Sequence, residues 1–143
     1  MATFIKLLCY LVVYGVLIFS IWQLLRSVSA SSWPKAEGEI IYSGVEEEND
    51  VDGSIYFKPY IEYKYSVLGK EYNSKKYAFG FSFISAPFRF FSNRIVNKLR
   101  SKSVASVSYN PKKPSESVLF TGIQSFHIFQ VLIIFIVLYA LHK

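Results

Sequence analysis

Two uncharged apolar stretches, one near each end of the chain, constrain the possible folds most strongly. They cover residues 7–25 and residues 123–141. As α-helices rising about 1.5 Å per residue, each would be about 28 Å long, close to the ~30 Å hydrocarbon core of a bilayer. We therefore predict a membrane protein of the α+β class. Two transmembrane helices flank a small antiparallel β-rich domain that carries one amphipathic helix.

The expected division follows from these stretches. It comprises an N-terminal transmembrane helix, a β-rich extramembrane domain and a C-terminal transmembrane helix, in residues 1–26, 27–122 and 123–143. Residues 27–32 are small and are interpreted as a linker. A cleaved signal peptide is the alternative for the first stretch, because Val28-Ser29-Ala30 resembles a cleavage site. The apolar stretch is longer than the usual ~7–15 residues, however, and Arg26 interrupts the cleavage region.

Alternating side chains predict a half-buried strand over residues 55–67. One face is mostly apolar and the other mostly polar: Ile55, Phe57, Ile61, Tyr63, Tyr65 and Val67 against Tyr56, Lys58, Tyr60, Glu62, Lys64 and Ser66. Pro59 lacks a backbone donor, so we expect the strand to be on an edge or bulged there. Leu68-Gly69 predicts a tight turn into a return strand over residues 70–79.

Three further strands are expected, over residues 38–45, 105–109 and 117–120. Together they predict a β-sandwich or barrel-like domain. The prolines of residues 110–114 are expected to end the strand over residues 105–109. The acidic residues 46–53 predict a solvated turn, because Pro59 occupies the position where a calcium loop needs a bidentate glutamate.

An amphipathic helix is expected over about residues 86–100. Its apolar positions step by three and four residues, and basic side chains occupy the other faces: Phe88, Phe91, Ile95 and Leu99 against Arg89, Arg94, Lys98 and Arg100. Packing on the sheet is the favoured interpretation, because the apolar strand face needs a cover. The alternative is a helix that lies on the membrane surface with its basic side toward anionic headgroups.

The middle domain lacks the side chains of ordinary catalytic and metal sites. Cys9, His127 and His142 are the only cysteine and histidines, and all belong to the end segments. A thiol–imidazole pair and a zinc site of nitrogen and sulfur ligands are therefore excluded from the domain. Glu62 and Glu71 are expected to be solvated. We expect no enzyme activity, catalytic residue, metal or cofactor.

Polar residues within the apolar stretches are candidate interhelix contacts. If the two helices are antiparallel, Gln23 lies at the same membrane face as His127 and Gln130. A hydrogen bond from Gln23 to either residue would hold the helices together. The alternative is that all three side chains lie among the headgroups.

Candidate surface contacts are mainly aromatic and basic. Trp33 is either an interfacial anchor or a core residue of the domain. The other candidates are Tyr56, Tyr60, Phe88, Phe91, Arg89 and Arg94. Tyrosine-rich faces suit protein interfaces. The net charge of +6 comes without a long basic run, so no nucleic acid partner is expected.

An ordered set of short motifs resembles a known family. The motifs are Trp33-Pro34 with Gly38-Glu39-Ile40, Tyr63-Lys64-Tyr65 with Gly69 and Tyr72, and Val107-Ser108-Tyr109-Asn110-Pro111 with Pro114, Leu119 and Gly122. They are similar to a bacterial membrane family filed as domain of unknown function 3592, over residues 33–122. The resemblance implies a small β-rich domain flanked by membrane helices, and it brings no catalytic residue.

These observations predict a non-enzymatic, multi-pass protein of the bacterial inner membrane. Its domain would lie on the periplasmic or outer side and act as an accessory or assembly subunit of an envelope complex. The expected partners are the lipid bilayer and another membrane or envelope protein, with a homo-oligomer as a further option. An immunity protein against a membrane-active toxin and a small transporter or pore component are the alternatives.

Overall fold

A computed structural model describes residues 2–80, 89–100 and 103–142. In the chain, two long helices flank a β-sheet domain that contains one shorter helix. In chain order the elements are α1 Ala2–Ser29, a 3-10 turn Ala30–Ser32, β1 Lys35–Asn49, β2 Ile55–Val67, β3 Lys70–Ser74, α2 Arg89–Asn97, β4 Val104–Asn110, β5 Lys113–Val118 and α3 Ser125–His142.

The helices α1 and α3 are both long and apolar enough to cross a membrane. Only 6% and 11% of their most apolar windows are buried, so neither is a core helix of the domain. The helices are antiparallel, because the Tyr10 hydroxyl donates to the Leu141 carbonyl at 3.0 Å and the far end of α1 contacts the start of α3. An apolar helix surface left uncovered by protein suits contact with lipid. The predicted α+β architecture with two flanking helices is confirmed.

The residues expected to form a linker are instead ordered helical turns. α1 extends to Ser29 and continues into the 3-10 turn Ala30–Ser32. Only Trp33 and Pro34 separate this turn from β1, so no long linker joins the helix to the domain. The linker interpretation is wrong because Ser27 and Ala30, although small, are fully buried against the domain.

The sheet has five antiparallel strands in the order β3-β2-β1-β4-β5. β2 has the predicted bounds, and its alternate residues Ile61, Tyr63 and Tyr65 are buried. β1 is longer than expected and takes in the first acidic residues of the predicted turn. On the strand, Glu48 pairs with Lys58, with 3.5 Å between carboxylate and ammonium. Cross-strand pairing of opposite charges therefore favours strand over turn there.

Pro59 lies where β2 has a strand on one side only, among the residues that the structure describes. It pairs with Val45 of β1, whereas β3 pairs only with residues 63–67 of β2. Proline is tolerated at such a position because no backbone donor is needed on the open side. The register irregularity is on the neighbouring strand, between Ile40 and Tyr42.

The hairpin after β2 turns as predicted, but the return strand is shorter. Leu68 and Gly69 have φ values of 52° and 78°, the pair of positive angles that a type I′ turn requires. β3 ends at Ser74, not at residue 79. Tyr77, Ala78 and Phe79 are all buried, so the chain passes through the interior after β3 instead of alternating along a strand.

The last strand also differs from the expectation. β5 covers Lys113–Val118 instead of residues 117–120. β4 ends at Asn110, directly before Pro111, as predicted, but β5 begins earlier than expected for a topological reason. Pro111 lies in the connection after β4, and Pro114 lies in an edge strand, where the outer side carries no ladder.

The sheet curls until its two edge strands approach each other. Tyr65 of β2 donates its hydroxyl to the Pro114 carbonyl of β5 at 2.6 Å, across the enclosed core. Ala78 forms an isolated parallel bridge with Phe120. The domain is therefore one curled, barrel-like sheet and not a two-sheet sandwich.

Helix α2 packs on the sheet, as the favoured interpretation predicts. Val96 and Leu99 are buried, and Ser92 donates its hydroxyl to the Phe57 carbonyl of β2 at 2.9 Å. Residues 86–88 of the predicted helix lie outside the described residues. The helix ends at Asn97, and residues 98–100 form a turn.

Candidate interface and interhelix contacts

A polar seam, consisting of Ser20, Gln23, His127 and Gln130, lies between α1 and α3. Ser20, Gln23 and His127 are 5%, 8% and 3% exposed. Gln130 donates from Nε2 to the Ser20 hydroxyl oxygen at 2.8 Å, and Ser20 donates to the Val16 carbonyl at 2.7 Å. Gln130 therefore bonds to Ser20 and not to Gln23. Ser20 lies one helical turn before Gln23, a spacing that could have identified it from the sequence.

Gln23 and His127 adjoin the same point of the domain. A Cβ atom placed on Gly80 would lie 3.4 Å from Gln23 Cβ and 3.7 Å from His127 Nε2. His127 Nδ1 accepts from the Gln124 backbone N–H at 3.1 Å, which leaves the proton on Nε2. Nε2 has the Phe79 backbone nearby, but neither Nε2 nor Gln23 Oε1 has a hydrogen-bond partner of ordinary geometry among the described residues. The structure thus brings Gln23 and His127 together without joining them.

The end of α1 is bonded directly to the domain at a junction formed by Arg26, Ser27, Glu116 and Gly122. Ser27 donates its hydroxyl to the Gly122 carbonyl, and the Gly122 N–H donates to the Ser27 carbonyl, both at 2.8 Å. Arg26 forms an ion pair with Glu116. The second Glu116 oxygen accepts from Asn110 Nδ2 at 2.9 Å. The junction fixes α1 to β5 and to the segment that enters α3.

Trp33 packs on a small apolar cluster beside this junction. Its ring meets the Phe79 ring edge-on, with centroids 5.8 Å apart, and the cluster also contains Ala30 and Val118. The indole is half-buried. Of the two interpretations of Trp33, the structure shows the contact with the domain.

Tyr56 and Tyr60 lie on a two-stranded ribbon that projects beyond the rest of the sheet. The ribbon consists of residues 42–49 of β1 and 55–62 of β2, which pair only with each other within the described ranges. Tyr60 meets Tyr42 edge-on at 5.6 Å between centroids. The Tyr42 ring lies against Gly44, where a Cβ atom would come within 2.5 Å of the Tyr42 hydroxyl oxygen. The outer face therefore carries an ordered group of tyrosines.

The two basic candidates on α2 lie in different places, and only Arg89 contacts the inner face of the ribbon. Arg89 Nη1 is 3.6 Å from Glu47 Oε1, and its guanidinium carbon lies 5.7 Å from the centre of the Phe57 ring. Arg94 is exposed at the edge of a small groove that Tyr77 and Phe126 also line. Phe88 lies outside the described residues, and the side chain of Phe91 does too.

Titratable groups of the core serve as hydrogen-bonding groups of the fold. Burial raises the pKa of Tyr63 to about 12, although its contact with Ser117 acts in the opposite direction. Burial likewise raises the pKa of Tyr77. Within residues 2–80, 89–100 and 103–142, no three His, Cys, Asp or Glu side chains form a group that could hold a metal ion.

The helices and the curled sheet define a class of protein: two candidate membrane spans carrying one small β domain anchored directly to them. A family model described as Domain of unknown function (DUF3592) matches residues 36–124, from the start of β1 to the start of α3. The chain therefore belongs to this family, as the resemblance predicted. The match covers the β domain with α2 and excludes α1 and α3. No curated protein and no solved structure matches the chain.

Proposed function

We propose that this protein is a non-enzymatic accessory or assembly subunit that presents its ribbon to another membrane or envelope protein. The observation that carries the proposal is the uncovered outer face of the ribbon, described above. Helix α2 covers the inner face through Ser92 and Arg89, whereas the outer tyrosines have no packed element over them in the described part of the chain. A rigid aromatic face of this kind suits a protein partner.

Charge and backbone both add to the suitability of the ribbon as an interface. Lys75 Nζ lies 4.9 Å from the centre of the Tyr60 ring, and hydrogen bonding with the Tyr60 hydroxyl raises the pKa of Lys75, so the lysine is charged at neutral pH. Glu48 and Lys58 supply a mixed pair on the same face. Backbone groups along β2 before Tyr63 face no third strand in the described residues, although the Phe57 carbonyl already accepts from Ser92 of α2.

Site-specific photocrosslinking in native membranes tests the proposal. A benzophenone amino acid replaces Tyr56 on the ribbon or, as the matched control, the exposed Val104 at the start of β4. We expect a light-dependent adduct of discrete mass at position 56 that is absent at position 104. An adduct of twice the chain mass would assign a homo-oligomer. Equal adducts at both positions, or none at either, would contradict the proposal.

The proposed location is the bacterial inner membrane, with the domain on the outer side. The antiparallel contacts support both free helix ends on one side and the domain on the other. In a Cys9→Ser background, single cysteines at Val51→Cys and Lys6→Cys mark the two sides. A membrane-impermeant maleimide is expected to label position 51 in intact cells and position 6 only after permeabilisation. The reverse pattern would place the domain in the cytoplasm.

A further inference from the structure

A basic cavity lies beside the end of α1, separate from the ribbon. It has a volume of about 460 Å³. The side chains that matter for its chemistry are Arg26, Ser74, Lys76, Lys113, Ser115 and Glu116. With Ser117, it gathers three cations, three hydroxyl groups and one carboxylate from α1, β5 and the end of β3, and the Ser117 hydroxyl is already bonded to Tyr63.

The single carboxylate of the cavity already has a bonding partner for each of its oxygen atoms. One Glu116 oxygen pairs with Arg26, and the other accepts from Asn110. Lys76 and Lys113 form no ion pair with a carboxylate in the described part of the chain. The cavity therefore retains positive charge that the protein does not neutralise.

Lys76 is held in an environment that disfavours its charge. Burial lowers the pKa of Lys76 and the neighbouring Arg26 lowers it further, although Glu116 acts in the opposite direction. Its Nζ atom lies 4.4 Å from the centre of the Phe79 ring, and the Arg26 guanidinium carbon lies 4.7 Å from the same ring. Two cations gathered on one buried ring repel each other. An anion bound between them would relieve this repulsion.

The position of the cavity along α1 indicates where such an anion would come from. Arg26 is the first charged residue after the apolar stretch of α1, and its guanidinium carbon lies 4.9 Å from the Trp22 ring. Tryptophan and a terminal arginine are typical of the headgroup level of a bilayer. Lipid phosphates are concentrated at that level.

We propose that this cavity binds an anionic phosphate group through Arg26, Lys76 and Lys113, with the Ser74 and Ser115 hydroxyls as further donors. Phosphate oxygens are strong acceptors, and lysine is a common phosphate ligand. The source that fits the position is the headgroup of an anionic phospholipid, and free phosphate has the same chemistry. Net negative charge is required, because the unpaired lysines supply the attraction.

Thermal unfolding of the full chain in detergent tests the site. The probes are short-chain phosphatidylglycerol, phosphatidylcholine of the same chain length, and inorganic phosphate. The site variant is Lys76→Gln with Lys113→Gln. The control, Lys35→Gln with Lys70→Gln, removes the same charge from exposed positions. If the double site variant does not fold, Lys113→Gln alone on the exposed edge strand replaces it.

We expect phosphatidylglycerol to raise the Tm of the unsubstituted chain and of the control, and its apparent Kd to be at least tenfold weaker for the site variant. An equal rise with inorganic phosphate would support the site and assign free phosphate as the source. No rise with either phosphate, an equal rise with phosphatidylcholine, or the same affinity in site variant and control would overturn the proposal.

Discussion

Gly38 lies at a point of the sheet that has no room for a side chain. It faces Tyr65 of β2 and Ala105 of β4, so a side chain there would point into the curled interior. A Cβ atom would lie 2.4 Å from the Val107 Cγ2 atom and 3.0 Å from the Lys64 carbonyl oxygen. The second contact is with backbone, which cannot rotate away. The need for glycine here is steric and not conformational.

Gly38→Ala is therefore expected to lower the free energy of unfolding by about 1–3 kcal/mol, the usual cost of overpacking a core. Gly15→Ala is the matched control, because nothing lies within 4 Å of its added Cβ atom. Thermal unfolding in detergent measures both. A Gly38→Ala variant as stable as the control would show that the sheet relaxes around the methyl group.

The Tyr63 hydroxyl joins three parts of the domain that are distant in sequence. It donates to the Lys76 carbonyl at 2.7 Å and lies 2.9 Å from the Ser117 hydroxyl oxygen. Alternation along β2 predicted that Tyr63 is buried. It could not predict these partners, because they depend on how β5 and the segment after β3 are brought against the strand. Burial follows from local pattern, whereas partners follow from the curl of the sheet.

Tyr63→Phe is expected to cost about 1–3 kcal/mol at neutral pH, because it leaves buried partners unpaired. Its pH dependence gives a second readout. An unfolded tyrosine releases its proton near pH 10, but folding raises the pKa of Tyr63 to about 12, so stability falls as the pH rises from about 10 to 12. The variant should show a shallower fall. Tyr56→Phe, on the outer face of the ribbon, serves as the control, and equal slopes would contradict the expectation.

At the scale of elements, α1 and α3 are joined by few polar contacts along an otherwise apolar surface. The bond between Ser20 and Gln130 is the clearest of these. We expect a coupling free energy of about 0.6 kcal/mol, and at most about 1.7 kcal/mol, typical of hydrogen bonds between membrane helices. A double-mutant cycle with Ser20→Ala and Gln130→Leu measures it.

Tyr10→Phe provides the control for this cycle. Tyr10 contacts Leu141 at the other end of the helix pair, so its substitution should be additive with Ser20→Ala. Zero coupling between Ser20 and Gln130 would show that the bond contributes nothing beyond what lipid or water supplies. Coupling of Ser20 with Tyr10 would indicate that the helices separate as one unit.

The elements differed in how well sequence predicted them, for identifiable physical reasons. β2 was predicted to the residue because one buried face gave a clean two-residue alternation. β5 was misplaced because the rule against proline in a sheet does not apply at an edge. The acidic end of β1 was taken for a turn because its pairing with Lys58 depends on a strand that follows it. The alternation of side chains predicted where strands lie, whereas the ends of the strands depend on pairing with neighbouring strands.

At the scale of the whole molecule, the junction determines whether the helix pair and the domain behave as one body. Ser27 is fully buried and bonds twice to Gly122. Removal of the chain up to Ala30, as the signal-peptide alternative requires, would take Arg26, Ser27 and Ala30 out of the folded domain. A chain cleaved there would lack both hydrogen bonds between Ser27 and Gly122.

Ser27→Val is expected to lower the stability of the whole protein by about 1–3 kcal/mol, because the Gly122 carbonyl loses a donor. Ser29→Val, on the exposed side of the same helix, should change it by less than about 0.5 kcal/mol. The two tryptophans, Trp22 and Trp33, lie on either side of the junction and report unfolding by fluorescence. Unfolding of the domain unaffected by Ser27→Val would contradict a shared cooperative unit.

The short connection between α1 and β1 has a mechanical consequence. The 15 residues of β1 form an arm of at most about 50 Å, rigidly attached to the end of α1. A change of about 10° in the tilt of the helix pair, well within the range that bilayer thickness imposes, would swing the far end of this arm by up to about 9 Å. Bilayer thickness would then set where the tyrosines of the ribbon stand, and so which surfaces they reach.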